Sequence, residues 1–460
     1  MLVESRSAWS SLNDVKTVKI IPSAPSIKTA IEGTVTIPGS KSYTNRAIIL
    51  AGVADGTSRV RNILKSDDSY WCIDALRKLG AVIEEDGNDL IVKGTSGVWS
   101  YPDEDIYIGS AGTTGRFLTS VLALSITQPV TITASEQLSG RPMKTLFEAL
   151  EELGAVMEYK TDPYCFPVTL FPKKSAKSSI QISGSVSSQF ISGVLMASPF
   201  LSEGVEIQII DGVVQADYIR VTLDVMESFG VSVKYISDLS HYTVLPKQYK
   251  ATDYSVEADA STASYFLALA AVTGGHITLP NLNHKTFQPD IQFLDVLEKL
   301  GCVVRRAEGK GNNSNALDYC GVSISGPDQL MGDHIIDMNA CSDTALTLAA
   351  IAPFATGPIT ITGVAHIRKH ESDRISVMVH SLKALGVPVE ERDDGLVIHP
   401  ALPTTSCLET HDDHRVAMSL AILGIAGSGI ELEDPGCVSK TCPSFFGELE
   451  KLGIEVEYTR

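Results

Sequence analysis

Six times along the chain an amphipathic stretch closes on a glycine and passes into an alternating one. DALRKLGAVIEE does so at Gly80, FEALEELGAVMEY at Gly154, LDVMESFGVSVKY at Gly230, LDVLEKLGCVVRR at Gly301, VHSLKALGVPVEE at Gly386 and FGELEKLGIEVEY at Gly453. Apolar residues at i, i+3 and i+4 predict a helix with one buried face. The glycine supplies the left-handed residue that ends it, and the V-x-V or I-x-V that follows predicts a half-buried strand. A second kind of helix also recurs six times: SKSYTNRAIILAGVA, GTTGRFLTSVLAL, SSQFISGVLMASPF, STASYFLALAAVTG, SDTALTLAAIAPFA and DDHRVAMSLAILGI. These are apolar nearly all round, so they should be buried, and each is followed by a short strand such as VTITA or ITITG. The repeating unit is helix, strand, helix, strand, strand, of roughly 65–80 residues. The Gly/Asn-rich GKGNNSN at 309–315 reads as a surface excursion.

Composition adds limits. A chain of 460 residues exceeds one ordinary hydrophobic core, so two domains are expected. With 44% hydrophobic and 20% charged residues, disorder is excluded, and no apolar run reaches the length of a membrane span. The net charge of −18 argues against nucleic acid or an anionic membrane as partner. An anionic ligand therefore needs a local positive field. The eight cysteines form no CxxC pair and are too sparse for a disulfide scaffold, so reduced, mostly buried thiols are expected. The first residues, MLVESRSAWSSLND, have no apolar core for a secretory signal. Glu4 and Asp14 speak against an organellar transit peptide, so a cytoplasmic location is expected by default.

The candidate chemistry sits at the starts of the buried helices, where unsatisfied N–H groups favour phosphate or carboxylate. Lys41, Ser42 and Arg46 crowd the first of these ends. GSAGTTGR (109–116) places glycines and Arg116 at the second, and SGRPMK (139–144) carries Arg141, with Pro142 suited to a first helical turn. GSVSSQF offers Ser187, Ser188 and Gln189 as uncharged donors. At the fourth end, Ser261 and Thr262 read as ordinary N-caps. In the second half, Asp343 is either an N-cap or a held base, and HIRKHESDR (366–374) is either a solvated ion-paired face or part of a site. HDDHR (411–415) shows no metal-site spacing, and Lys440 lies in the final loop. Cations at Lys41, Arg46, Arg141, Arg374, Arg415 and Lys440, with acids at Asp343 and Glu371, suit two polyanions clamped together and a proton to move. No cofactor fingerprint or metal site is evident.

PGSKSYTNR, SAGTTGR, GRPM, GSVSSQF, EADASTASY, SDTALT, HESDR, DDHRVAM and SKTCP occur in this order, and on them the chain resembles the 5-enolpyruvylshikimate-3-phosphate synthase family from about residue 25 to its end. The resemblance implies an α/β (α+β) fold of two domains, each with three βαβαββ units around buried parallel helices. One domain would be 40–258 and the other 1–39 with 259–460, with hinges near 38–41 and 257–260 and the active site in the cleft between them. It implies transfer of the enolpyruvyl group of phosphoenolpyruvate to the 5-hydroxyl of shikimate 3-phosphate, without metal or cofactor, by a monomer that glyphosate inhibits. By resemblance, Lys41, Ser42, Arg46, Ser187, Ser188, Gln189, Gln215, Tyr218, Asp343, His366 and His370 hold shikimate 3-phosphate. Lys41, Gly112, Arg141, Gln189, Arg374, Arg415 and Lys440 hold phosphoenolpyruvate. Lys41, Asp343, Glu371, His370 and His414 are the implied catalytic groups.

The chain departs from the family pattern at several of these places. Ser110 stands for an asparagine, Gln215 for a serine, His366 for an asparagine, His370 for a lysine and Pro289 for a glycine. Asp217 and Arg220 replace Pro and Asp around Tyr218. His370 can still donate, with a charge that titrates near neutrality. Three other readings are open: a UDP-N-acetylglucosamine enolpyruvyl transferase, a relative redirected to another cyclohexene acid, and a silent homologue. The first lacks support because 73–164 contains no cysteine. The third is opposed by the retained Lys41, Asp343, Glu371, Arg374, Arg415 and Lys440.

Overall fold

The computed structural model describes residues 6–22, 30–141, 143–174, 177–307 and 321–460. The 309–315 excursion, Pro142 and Cys320 lie outside them. The described chain divides into two compact units. Unit 1 holds 6–9 and 39–256, and unit 2 holds 10–38 and 257–460.

All six glycines that close the amphipathic helices have positive φ, from 76° at Gly386 to 102° at Gly80, a region a Cβ disfavours. The six apolar helices are Lys41–Val53 (α1), Gly112–Ser125 (α2), Ser188–Ala197 (α3), Ala260–Thr273 (α4), Ala345–Ile351 (α5) and His414–Ala426 (α6). Helices α1–α3 fill the core of unit 1 and α4–α6 that of unit 2, as their all-round apolar sequences require.

Each unit has three four-stranded sheets built to one plan. In one, Val205–Ile209 pairs in parallel with Ser179–Ile182 and antiparallel with His241–Val244, which pairs antiparallel with Lys234–Tyr235. Its register sets Ile207 between Ile180 and Tyr242, all three buried. Strands from distant parts of the chain complete other sheets. Asp253–Ser255 returns beside Thr57–Arg61, and Thr17–Ile21 lies between Ile430–Glu433 and Glu455–Thr459.

Two sequence readings need correction. Residues 6–9 belong to unit 1, although the resemblance implied 1–39 in the second domain. The reason is local: Ser7 donates its N–H (2.8 Å) and Oγ–H (2.6 Å) to the Asp67 carboxylate. At α4, neither Ser261 nor Thr262 is the cap. Asp259 takes that role, accepting from the Thr262 N–H at 2.7 Å, because the Ser261 hydroxyl is turned to Asp290. Seven described cysteines are free; five are buried, Cys165 is half-buried and Cys407 is exposed.

Candidate active site

In unit 1 the loops before α1 and α2 leave the helix starts without a side-chain cap, the condition under which N–H groups are available to an anion. Lys41 and Ser42 open α1. Arg46, one turn on, is buried and committed to the protein: Nε donates to Thr222 Oγ1 (2.7 Å), Nη1 to the Ser42 carbonyl (2.8 Å) and Nη2 to the Tyr218 carbonyl (3.3 Å). Its guanidinium lies 4.6 Å from the Phe117 ring centre, and burial pulls its pKa down to about 10. These bonds join Ser42 to Tyr218, so Arg46 also braces two other residues of the implied shikimate-phosphate set.

At α2, a Cβ placed on Gly112 would lie 2.8 Å from Arg116 Nη1 and 3.0 Å from Arg141 Nη1. The two guanidiniums therefore come close to bare backbone. Arg116 was noted in the sequence but left out of the implied site. It donates to Gln189 Oε1 at 2.8 Å, which turns the Gln189 NH₂ the other way. Ser187 caps α3 through the Gln189 N–H, and Ser188 is buried behind it. Ser110 spends its hydroxyl on Ser135 at 2.6 Å. Gln215 adopts φ 50°, unusual for a non-glycine, and leads into the helix Asp217–Ser228 that carries Tyr218. Asp217 and Arg220 pair with each other at 3.2 Å. The Gly112→Ala variant is expected to keep its stability, since only flexible side-chain ends must move. If Gly112 and Arg141 hold phosphoenolpyruvate, as the resemblance implies, the variant's KM for it should rise roughly tenfold in steady-state assays, because the guanidiniums are displaced.

Unit 2 gathers the remaining residues around Arg374, whose side chain is only 2% exposed. Its Nε and Nη2 donate to Asp413 (2.8 and 3.2 Å), Nη2 also to Glu371 Oε2 (2.8 Å), and Nη1 to Asp343 Oδ1 (3.3 Å). Arg415 Nη2 meets the other Asp343 oxygen at 2.8 Å, and Lys440 Nζ meets Glu371 Oε1 at 3.3 Å. Asp413 caps α6 by accepting from the Arg415 N–H at 3.0 Å. Asp343 is thus a carboxylate held by two arginines rather than an N-cap, and HESDR is a buried network rather than a solvated face. Three cations here are interleaved with three carboxylates, so the local field is balanced rather than purely positive. Burial lowers the pKa of the Arg374 guanidinium, but the Asp413 and Glu371 charges outweigh it and hold it above its ordinary value.

Two histidines and a further acid complete the cluster. Arg374 Nη1 lies 3.0 Å from His370 Nδ1; the arginine can only donate, so Nδ1 accepts and the neutral ring carries its proton on Nε2. His366 Nε2 is 2.7 Å from Ser342 Oγ, and its ring meets His370 edge-on at 5.8 Å. Burial lowers the His366 pKa and Arg374 acts the same way, against the opposing pull of Asp343. His414 is fully buried at the start of α6. Asp290, beside the departure at Pro289, is buried against Ser261; burial, with the Asp343 charge adding to it, pushes its pKa up to about 7. Asp413 and Asp290 were not among the implied site residues. Asp413 had a readable signal, an acid two residues before Arg415 at a helix start, whereas nothing in TFQPD announces burial.

Six repeats in two units, with cations and carboxylates at the starts of their buried helices, place the chain among the enolpyruvyl transferases in fold. The EPSP synthase (3-phosphoshikimate 1-carboxyvinyltransferase) family matches residues 25–449. A Halalkalibacterium halodurans 3-phosphoshikimate 1-carboxyvinyltransferase 2 is 47% identical, with 99% of this chain and 98% of that protein covered. The chloroplastic 3-phosphoshikimate 1-carboxyvinyltransferase of Arabidopsis thaliana is 37% identical over 92% of this chain and 82% of its own. In fold, an EPSP synthase structure from Acinetobacter baumannii superposes with a TM-score of 0.81 at 24% identity, covering 97% of this chain and 100% of that one. The chain belongs to the EPSP synthase family.

Proposed function

We propose that this chain transfers the enolpyruvyl group of phosphoenolpyruvate to the 5-hydroxyl of shikimate 3-phosphate and releases phosphate. The observation that carries this reading is the double carboxylate: Asp343 and Glu371 both sit on the Arg374 guanidinium, with Arg415 and Lys440 beside them. In the addition step the acceptor oxygen bonds to C2 of phosphoenolpyruvate, its proton passes to Asp343, and Glu371, having first taken up a proton from solvent, delivers it to C3. In the elimination step C3 returns its proton, and the C2–O bond to phosphate breaks as Lys41 protonates the leaving oxygen. Positioning and paired charge do the work, as expected for chemistry without a covalent enzyme adduct.

His370, with Nε2–H as donor, and His366 serve the acceptor's hydroxyls, with Ser42, Ser187, Ser188, Gln189, Gln215 and Tyr218 on the rest of shikimate 3-phosphate. Gly112, Arg141 and Gln189 join Arg374, Arg415 and Lys440 on phosphoenolpyruvate. His414, among the implied catalytic groups, is fully buried at the start of α6, with Nδ1 3.9 Å from Asp413 Oδ1. The reading includes closure of two domains about hinges near 38–41 and 257–260, action as a cytoplasmic monomer, and glyphosate competing for the phosphoenolpyruvate subsite. Next to the crossings the chain is tied within each unit, by the Asp259 N–H bonded to the Pro38 carbonyl in unit 2 and by Asn62 bonded to the Val256 carbonyl in unit 1. Among the described residues no helix is long and apolar enough to cross a membrane.

Steady-state phosphate release tests the reaction. Release should require both substrates. Release without shikimate 3-phosphate, or with UDP-N-acetylglucosamine in its place, would contradict the assignment.

A further inference from the structure

Residues 6–9 are docked on the start of the helix Asp67–Lys78. Ser7 grips the Asp67 carboxylate with its N–H and hydroxyl, and the Trp9 N–H donates to Ser7 Oγ at 3.1 Å. From Trp9 a line of rings runs through unit 1. Trp9 meets Tyr70 edge-on at 5.5 Å, Tyr70 meets Trp71 at 5.2 Å, and Trp71 meets Tyr107 at 4.9 Å. All three contacts are T-shaped, the favoured geometry for aromatic pairs, and Lys65 Nζ closes the outer end 5.2 Å from the Trp9 ring centre.

The inner end of the line rests on the loop before α2. Gly109 has φ +57°, and a Cβ there would lie 2.5 Å from two atoms of the Trp71 indole. The Trp71 ring therefore lies directly against the Gly109 backbone. From the other side, the Gly109 carbonyl accepts from the Ser135 N–H at 2.9 Å, and Ser110 bonds Ser135 through its hydroxyl. The loop is clamped between an aromatic stack and Ser135, three residues from Gly112.

We propose that residues 6–9 and the ladder Trp9–Tyr70–Trp71–Tyr107 are a buttress that fixes the loop 109–112, and with it the ligand-facing start of α2. Trp9 and Trp71 are positioning residues, acting through Gly109. The kinetic consequence rests on the reading that Gly112 and Arg141 hold phosphoenolpyruvate; the structural consequence does not.

The test compares the full-length chain with Trp9→Ala, Trp9→Phe and Trp71→Leu. Amide hydrogen exchange at 109–113 should quicken roughly tenfold in Trp9→Ala and Trp71→Leu. The KM for phosphoenolpyruvate should rise about fivefold, with kcat and the KM for shikimate 3-phosphate within about twofold of wild type. Trp9→Phe keeps an edge for Tyr70 and should restore both readouts. Unchanged exchange at 109–113 in both Trp9→Ala and Trp71→Leu would overturn the buttress. So would an equal loss of all kinetic parameters that Trp9→Phe fails to rescue. A wild-type chain releasing no phosphate would overturn the proposed reaction instead, and the exchange rates alone would then decide the buttress.

Discussion

Glu371→Gln should lower kcat by roughly 10²–10⁴-fold while phosphoenolpyruvate affinity stays within about threefold of wild type. The carboxylate is held from both sides, by Arg374 Nη2 at 2.8 Å and Lys440 Nζ at 3.3 Å. An amide of the same shape keeps one acceptor oxygen, enough for Arg374 or Lys440 but not both, and the Arg374 bonds to Asp413 and Asp343 still hold the site together. What the amide loses is the exchangeable proton that the proposed reaction needs at the methylene carbon, once in addition and once in elimination. It also loses one negative charge from a cluster in which three carboxylates balance three cations. The anionic ligand should then bind no worse, and the excess positive charge favours it. Calorimetric titration with phosphoenolpyruvate in the presence of shikimate 3-phosphate separates the two effects from kcat. Equal losses of binding and turnover would show that Glu371 holds ligand rather than moving a proton.

Arg374→Met is the variant expected to damage both stability and activity. One buried guanidinium serves Asp343, Glu371 and Asp413, and the Asp413 side chain is wholly buried. Removing it leaves the wholly buried Asp413 carboxylate without its counter-ion, while Asp343 keeps Arg415 and Glu371 keeps Lys440. Breaking a buried pair in this way costs about 3–5 kcal/mol. For a unit of this size that corresponds to a fall in Tm of roughly 10 °C. Activity should fall further than stability accounts for, because Asp343 and Glu371 lose their common anchor. Arg374→Lys retains the charge but not the planar fork, and should lie between wild type and Arg374→Met in both thermal scans and kcat/KM. A Tm for Arg374→Met equal to wild type would contradict the central place given to this residue.

How far these features can be read from the sequence depends on the range of the forces that set them. The six helix-ending glycines were legible because a left-handed residue is a property of one position, and Gly80, Gly154, Gly230, Gly301, Gly386 and Gly453 all adopt it. The buried helices were legible from apolarity alone. Partner choice was not. Arg374 and Asp413 are 39 residues apart, and nothing in either segment says that they meet. The sequence read the second-half cations as waiting for ligand anions, whereas buried carboxylates already accompany them. Competition between neighbouring polar groups was also opaque: Asp259 caps α4 because Ser261 has a better partner in Asp290. The N-terminal anchor was missed for a related reason. Ser7 and Trp9 carry no periodicity, and their meaning appears only once Asp67 and Tyr70 are seen beneath them.

The most direct test uses one cation from each unit. Phosphoenolpyruvate is titrated calorimetrically, with shikimate 3-phosphate saturating, into Arg141→Gln and Arg415→Gln. If one ligand is neutralised by both units, each variant should bind it at least roughly tenfold more weakly than wild type, a loss of about 1.4 kcal/mol. Wild-type affinity in either variant would contradict a shared ligand.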